Sequence, residues 1–311
     1  MRRPTITPST YRWISLVAAI LLAVIIVTGG AVRLTGSGLG CSSWPQCEPN
    51  KFAADPDDVH AMIEFVNRMF TGLVSVAVIV CVLGSFLRVP RRRDLIVLSL
   101  GLVAGVFAQA VLGGLTVLFD LQPPFVMAHF MVSLVLLTNA IVLFRRAGQA
   151  DVAATLAVEP QVRTAGRLLL VVAAVVVFTG TIVTATGPHG GDEDAKRFDL
   201  HLPDVARVHG TSVVVFVLLI IGTFVLLRRT SAPTSVQQRL GVLAAVVVAQ
   251  AAIGYIQWLN EIPPLLVGFH IAGATAMWAA VVSFYLGLFW RPAEDNVPTD
   301  EPTALALAGS A

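Results

Sequence analysis

Eight stretches of this chain are apolar and long enough to cross ~30 Å of hydrocarbon as helices of about 20 residues. They run roughly over 13–32, 62–87, 95–118, 125–144, 167–186, 206–227, 239–259 and 264–289. Inside a bilayer every backbone N–H and C=O must find a partner within the protein, which leaves the helix as the form such a segment takes. Hydrophobic residues make up 56% of the 311 and charged residues 13%, with a mean hydropathy of +0.80. That balance excludes an ordinary soluble domain. No connecting segment is long enough to fold as one, so the chain reads as an all-α, multi-pass integral membrane protein.

Orientation follows from lysine and arginine. The N-terminus, the loops 88–94, 145–167 and 228–239, and the tail carry fifteen of them, against six on the other side: Arg33, Lys51, Arg68, Lys196, Arg197 and Arg207. Positive residues stay in the cytoplasm, so both termini are expected there, in a cell membrane. The apolar segment after Met1-Arg2-Arg3 has no small-residue cleavage site ahead of a soluble domain and reads as the first helix rather than a removed signal peptide.

The outer loops alternate long and short, over about 33–61, 119–124, 187–205 and 260–264, which is the mark of a repeat. Laying Gln109–His129 on Gln250–His270 matches seven of twenty-one positions without a gap, among them Gln109/Gln250, Gly113/Gly254, Pro123/Pro264 and His129/His270. Apolar composition alone does not align Gln, Gly, Pro and His. The halves also open alike, with Thr28-Gly29 and Thr35-Gly36 in one and Thr179-Gly180 and Thr186-Gly187 in the other. The expectation is two pseudo-symmetric four-helix bundles in tandem: residues 1–150, residues 151–292, and a disordered cytoplasmic tail over 293–311, rich in Pro, Asp and Glu.

His129, His209 and His270 each fall one to two turns into a helix running from outside to inside, ~5–9 Å deep at 1.5 Å per residue. A single membrane histidine is readily explained as an interhelical hydrogen bonder. Three at symmetric positions point to function, and imidazoles on facing bundle helices are common axial ligands of heme iron. His209 and His270 would make a bis-histidine site in the second half. The first half has His129, with Asn67 where His209 would fall.

The segment Gly30-Ala31-Val32-Arg33-Leu34-Thr35-Gly36-Ser37-Gly38-Leu39-Gly40-Cys41-Ser42-Ser43-Trp44-Pro45-Gln46-Cys47, followed by Ile63-Glu64-Phe65-Val66-Asn67-Arg68, resembles the heme A synthase family, and the likeness extends from the first helix to the eighth. The resemblance implies an eight-helix pseudo-symmetric bundle that oxidises the C8 methyl of heme O to the formyl group of heme A for terminal oxidases. It implies a heme B between His209 and His270, a substrate or product heme at His129, and a catalytic carboxylate at Glu64. The implied partners are the heme O substrate, hand-over from heme O synthase and to cytochrome oxidase assembly, membrane lipids and a second copy of the chain; no nucleic acid is expected. Many relatives carry histidine three residues after the glutamate, where this chain has Asn67. Asparagine is a weak iron ligand, so the first-half heme is expected to keep an open face, as substrate oxidation requires, while the bis-histidine pair suits electron transfer.

Glu64 and Asn67, spaced i and i+3, share a helix face. Arg68 has two readings, a partner that neutralises Glu64 or a holder of a heme propionate. Cys41 and Cys47 lie in an outer loop, in an oxidising compartment where a bridge is sterically feasible; a structural staple and the redox pair that the family implies both remain open. Cys81 is expected to pack as a small apolar residue. His60, His189 and His201 read as solvated, with His60 an auxiliary acid or base at most, and Asp192-Glu193-Asp194 reads as a solvated loop. The glycines at 36, 38 and 40 lack the strand, helix and lysine of a nucleotide loop. The competing readings are a bis-histidine b-type cytochrome that only passes electrons, which needs neither Glu64 nor the cysteine pair, and a transporter.

Overall fold

A computed structural model describes residues 4–294. It holds eight helices long and apolar enough to cross a membrane: α1 (Pro8–Leu34), α2 (Val59–Leu87), α3 (Arg93–Leu118), α4 (Pro123–Ala147), α5 (Pro160–Thr186), α6 (Leu202–Arg229), α7 (Thr234–Leu259) and α8 (Pro264–Gly287). Several begin a turn or more before the apolar stretch that announces them. Hydropathy sees only the hydrocarbon-facing length, whereas capping extends a helix into the polar boundary. Proline in the first turn, where no N–H is needed, opens α1, α4, α5, α6 and α8. The Asp58 carboxylate caps α2 by accepting from the Ala61 N–H at 3.0 Å.

The helices pack in a recurring pattern. In the first four, α1 lies against α2 and α4, and α3 against α2 and α4; in the last four, α5 lies against α6 and α8, and α7 against α6 and α8. Contacts between the sets run through α1 with α8, α4 with α5, and α4 with α8. On the α4–α8 contact the Trp278 indole N–H donates to the Leu134 carbonyl at 3.1 Å and the Thr138 hydroxyl at 2.9 Å. One feature escaped the all-helical expectation. Strands β1 (Thr155–Leu156) and β2 (Phe289–Trp290) pair antiparallel and tie the connection between the sets to the end of α8. Ala293 bridges Gln149 and Glu294 pairs with Arg88; the rest of the expected tail, 295–311, lies outside the described residues.

The second helix pair of each set repeats closely. Helices α3 and α7 are both 26 residues long, and the turns after them match residue for residue: Asp120 and Leu121 have φ of 51° and 54°, and Glu261 and Ile262 have 60° and 59°. Positive φ is uncommon outside glycine, and for a β-branched residue such as Ile262 it is a true outlier, costing about 1–3 kcal/mol. Each turn is held by one long backbone bond, Leu121 N–H to Thr116 O at 2.8 Å and Ile262 N–H to Gln257 O at 2.7 Å. These turns set the register of α3 on α4 and of α7 on α8.

Candidate functional site

That register carries the histidines. Gln109 on α3 donates to the His129 carbonyl on α4 at 3.2 Å, and Gln250 on α7 donates to the His270 carbonyl on α8 at 2.8 Å. The matched glycines explain themselves at the same level: a Cβ added at Gly113 would stand 3.6 Å from His129 Cε1, and one at Gly254 would stand 3.4 Å from His270 Cε1. Glycine there lets each imidazole lie against the neighbouring backbone. In both halves the same buried atoms, Gln Oε1 and His Nδ1, find no hydrogen-bond partner among the described residues. Buried polar atoms are normally satisfied, so the repeated orphans mark both places as built for something other than packing.

In the second half, His209 on α6 and His270 on α8 face each other, with ring centroids 6.4 Å apart and planes at 83°. Two metal–nitrogen bonds of about 2.0–2.1 Å each, plus the half-widths of two imidazoles, add up to that spacing, so the two residues could hold one iron between them. Among the described residues no three His, Cys, Asp or Glu side chains converge; two ligands are what an iron held in a macrocycle leaves to the protein. His209 is oriented by its neighbours. Thr179 Oγ1, 2.9 and 3.0 Å from the Val175 and Val176 carbonyls, meets His209 Nδ1 at 3.2 Å and Ser212 Oγ at 3.1 Å. A proton on Nδ1 would leave the Nε2 lone pair for a metal, the usual logic of an oriented histidine ligand. Gly180 makes room, since a Cβ there would come within 3.1 Å of His209 Cε1.

The first half differs at this point. Asn67 on α2, the sequence match of His209, has its Oδ1 buried without a partner among the described residues. Among the described residues the Thr28 hydroxyl, the match of Thr179, bonds only the Ile25 carbonyl, at 3.3 Å, and a Cβ added at Gly29 would meet nothing within 4 Å. No hydrogen bond joins Asn67 or Glu64 to His129 among the described residues.

Glu64 is instead gathered with the cysteine loop. Cys41 and Cys47 are bridged and buried. The Cys41 N–H donates to Glu64 Oε2 at 2.8 Å, and Arg68 Nη2 and Nε donate to Glu64 Oε1 at 2.5 and 3.1 Å. Arg68 Nη1 reaches the Ser43 and Gln46 carbonyls at 2.9 and 3.0 Å. Glu64 is only 6% exposed, and a carboxylate buried so deeply needs such a paired, hydrogen-bonded setting. The i, i+4 geometry of one helix brings Arg68 onto Glu64. The loop closes on α2 because Gly40 has no side chain: a Cβ there would sit 2.4 Å from His60 backbone atoms.

The remaining outer histidines divide. His201 is exposed beside Asp204, and His60 meets the Ser37 hydroxyl at 3.0 Å through Nδ1. His189 departs from its expected solvated role: half-buried, its ring bonds the Ile262 carbonyl at 2.8 Å, bracing the strained turn, while its own carbonyl accepts from Arg33 at 2.7 Å. Arg33 also donates to the Thr184 carbonyl at 2.8 Å, and Gly38 N–H donates to Gly191 O at 2.7 Å. The two long outer loops therefore interlock, a contact between distant segments that no local pattern signals. Thr179, Gly180, Gln109 and Gln250 carry site geometry that sequence reasoning registered only as matches between the halves.

A profile of the cytochrome oxidase assembly protein family matches residues 12–188. The chain belongs to that family. Among its relatives, a heme A synthase of Listeria welshimeri is 31% identical over 131 residues, covering 42% of this chain and 43% of the relative. Heme A synthases of Lysinibacillus sphaericus and Macrococcus caseolyticus are 30% and 32% identical, each over 40% of this chain and over 40% and 41% of their own lengths. The chain thus spans less than half the length of the curated relatives it matches. The family match takes in Glu64, Asn67, Arg68, His129 and the disulfide loop, and ends before α6. The His209–His270 pair rests on its own geometry.

Proposed function

We propose that this protein is a heme A synthase, a membrane oxidoreductase that converts the C8 methyl of heme O to the formyl group of heme A for terminal oxidase assembly. The observation that carries the reading is the asymmetry between the halves: two imidazoles facing at 6.4 Å in one, a single histidine with Asn67 and a buried carboxylate in the other. Its support is the family membership and the heme A synthases among the relatives. In this reading His209 and His270 hold a heme B, which when bound supplies one-electron transfer. Thr179 keeps His209 in the tautomer that offers Nε2, and Gln250 holds the backbone of His270.

The substrate heme sits at His129, with Asn67 and Arg68 on α2 lining its other side. Replacing a methyl by a formyl group, R–CH3 + H2O → R–CHO + 4 H+ + 4 e−, adds the oxygen of water and releases protons and electrons, so a base is needed close to the reacting carbon and an electron acceptor must take the electrons away. Glu64 serves there, as proton acceptor or as the negative charge that stabilises a developing positive carbon. Arg68 and the Cys41 N–H fix the direction of that carboxylate, and the Cys41–Cys47 bridge holds the loop that supplies the N–H. In the same reading both termini lie in the cytoplasm of a cell membrane and the histidines lie toward the outer leaflet; the surplus of Lys and Arg in the loops on the side of the termini supports it.

Pigment analysis of the purified protein tests this reading. Heme B together with heme O or heme A is the expected result. Heme B alone would transfer the assignment to an electron-passing cytochrome, and a protein without heme would end both.

A further inference from the structure

At the end of the bundle away from the histidines lies a cavity of about 730 Å³, bounded by α3, α4 and the end of α8. Arg93, Arg145, Arg146 and Arg291 stand around it with one carboxylate, Asp94. That carboxylate is already engaged, by Arg92 at 2.8 Å and by Arg146 at 2.6 Å. Glu294 is likewise taken up by Arg88 and Arg92. Arg93 and Arg145 have no carboxylate within salt-bridge distance among the described residues, and Arg146 Nη1 is buried without a partner. Arg93 also opens α3, where the helix dipole is positive and a like charge is unfavourable unless an anion is near. Below this rim the wall turns apolar, through Val97, Leu98, Val142 and Leu286. Val97 is 59% exposed on the outside of the bundle, so the apolar part opens sideways toward the hydrocarbon rather than into the protein.

A surplus of guanidinium at the water boundary, continuous with an apolar wall facing lipid, matches a molecule with an anionic head and long apolar chains. We infer that this cavity is a binding site for an anionic phospholipid, its phosphodiester held by Arg93, Arg145 and Arg146 and its acyl chains laid along Val97 and Leu98. Guanidinium pairs with phosphate oxygens in a fork, and basic pockets between membrane helices select anionic headgroups. The inference is independent of the heme reading, because the cavity and the histidines lie at opposite ends of the helices.

The test is native mass spectrometry of the detergent-solubilised full chain with added dioleoylphosphatidylglycerol or dioleoylphosphatidylcholine. Phosphatidylglycerol should be retained in preference to phosphatidylcholine, whose choline cation meets the same arginines. The double variant Arg93→Gln/Arg145→Gln should weaken phosphatidylglycerol binding about twenty-fivefold, at roughly fivefold per arginine, and leave phosphatidylcholine unchanged. Val97→Trp, which leaves every arginine in place and fills an exposed edge, should also lower phosphatidylglycerol retention and decides the matter if the double variant does not fold. Equal retention of the two lipids, or undiminished phosphatidylglycerol binding in the folded variants, would overturn the site. Displacement of the lipid by millimolar inorganic phosphate would assign the arginines to a soluble anion and overturn it too.

Discussion

The two halves agree where α3 meets α4 and α7 meets α8, and part where α1 meets α2 and α5 meets α6. In the first comparison the strained turn, the glutamine bond to the histidine carbonyl and the glycine beneath the imidazole all recur. In the second, α5 and α6 set Thr179 and Gly180 around His209, whereas α1 leaves Gly29 facing open space and α2 carries Asn67 with its Oδ1 buried and unpartnered among the described residues. One helix pair is thus a common frame for an imidazole, and the other decides whether a second imidazole joins it.

The sharpest break would come at the paired histidines. His209→Ala or His270→Ala should abolish the low-spin heme spectrum of the purified protein, and persistence of that spectrum in both variants would remove the bis-histidine assignment. Next in size is Glu64→Gln, which keeps an oxygen for the Cys41 N–H while removing the charge. Heme A formation should fall tenfold or more, about 1.4 kcal/mol for each factor of ten, with heme content held. Near-normal turnover would reduce Glu64 to a clasp for the loop.

Asn67→His makes the first half imitate the second. The wild-type first-half heme should bind carbon monoxide while the second does not, and the variant should move toward a ligand-inert, low-spin spectrum. Two inert hemes in the unaltered protein would erase the distinction between an open and a closed site. The smallest effect contrasts the two glycines that open the halves. Gly180→Ala should cost about 1–3 kcal/mol by crowding His209 and perturb the low-spin spectrum. Gly29→Ala should stay within about 0.5 kcal/mol; thermal unfolding and absorption spectra read both, and equal penalties would mean that the first half is as closed as the second.

How far the sequence reached differs by residue. Arg68 on Glu64 was legible, because i and i+4 on a helix always meet. The Cys41 N–H on the same carboxylate was not, since it depends on a loop folding back across twenty-three positions. Gln109 and Gln250 stood out as matches, yet their bond to a histidine carbonyl needs two helices in register. That register comes from turns whose residues, Asp120-Leu121 and Glu261-Ile262, share a backbone shape while differing in identity. His189 looked like a surface group, for nothing local says that a distant turn will bring a carbonyl to it.

The sequence by itself determined that the chain carries eight segments long and apolar enough to cross a membrane, that Gln, Gly, Pro and His recur at matched positions of its two halves, and which residue types stand there. Those are consequences of apolar length, of period and of hydrogen-bonding chemistry, which each segment carries alone. Only the tertiary structure decided that His209 and His270 face each other, that the Thr179 hydroxyl meets His209 Nδ1, and that Glu64 is buried beneath a disulfide loop. Such relations are set by packing between segments far apart in the chain, where a few ångströms separate a ligand pair from two unrelated side chains.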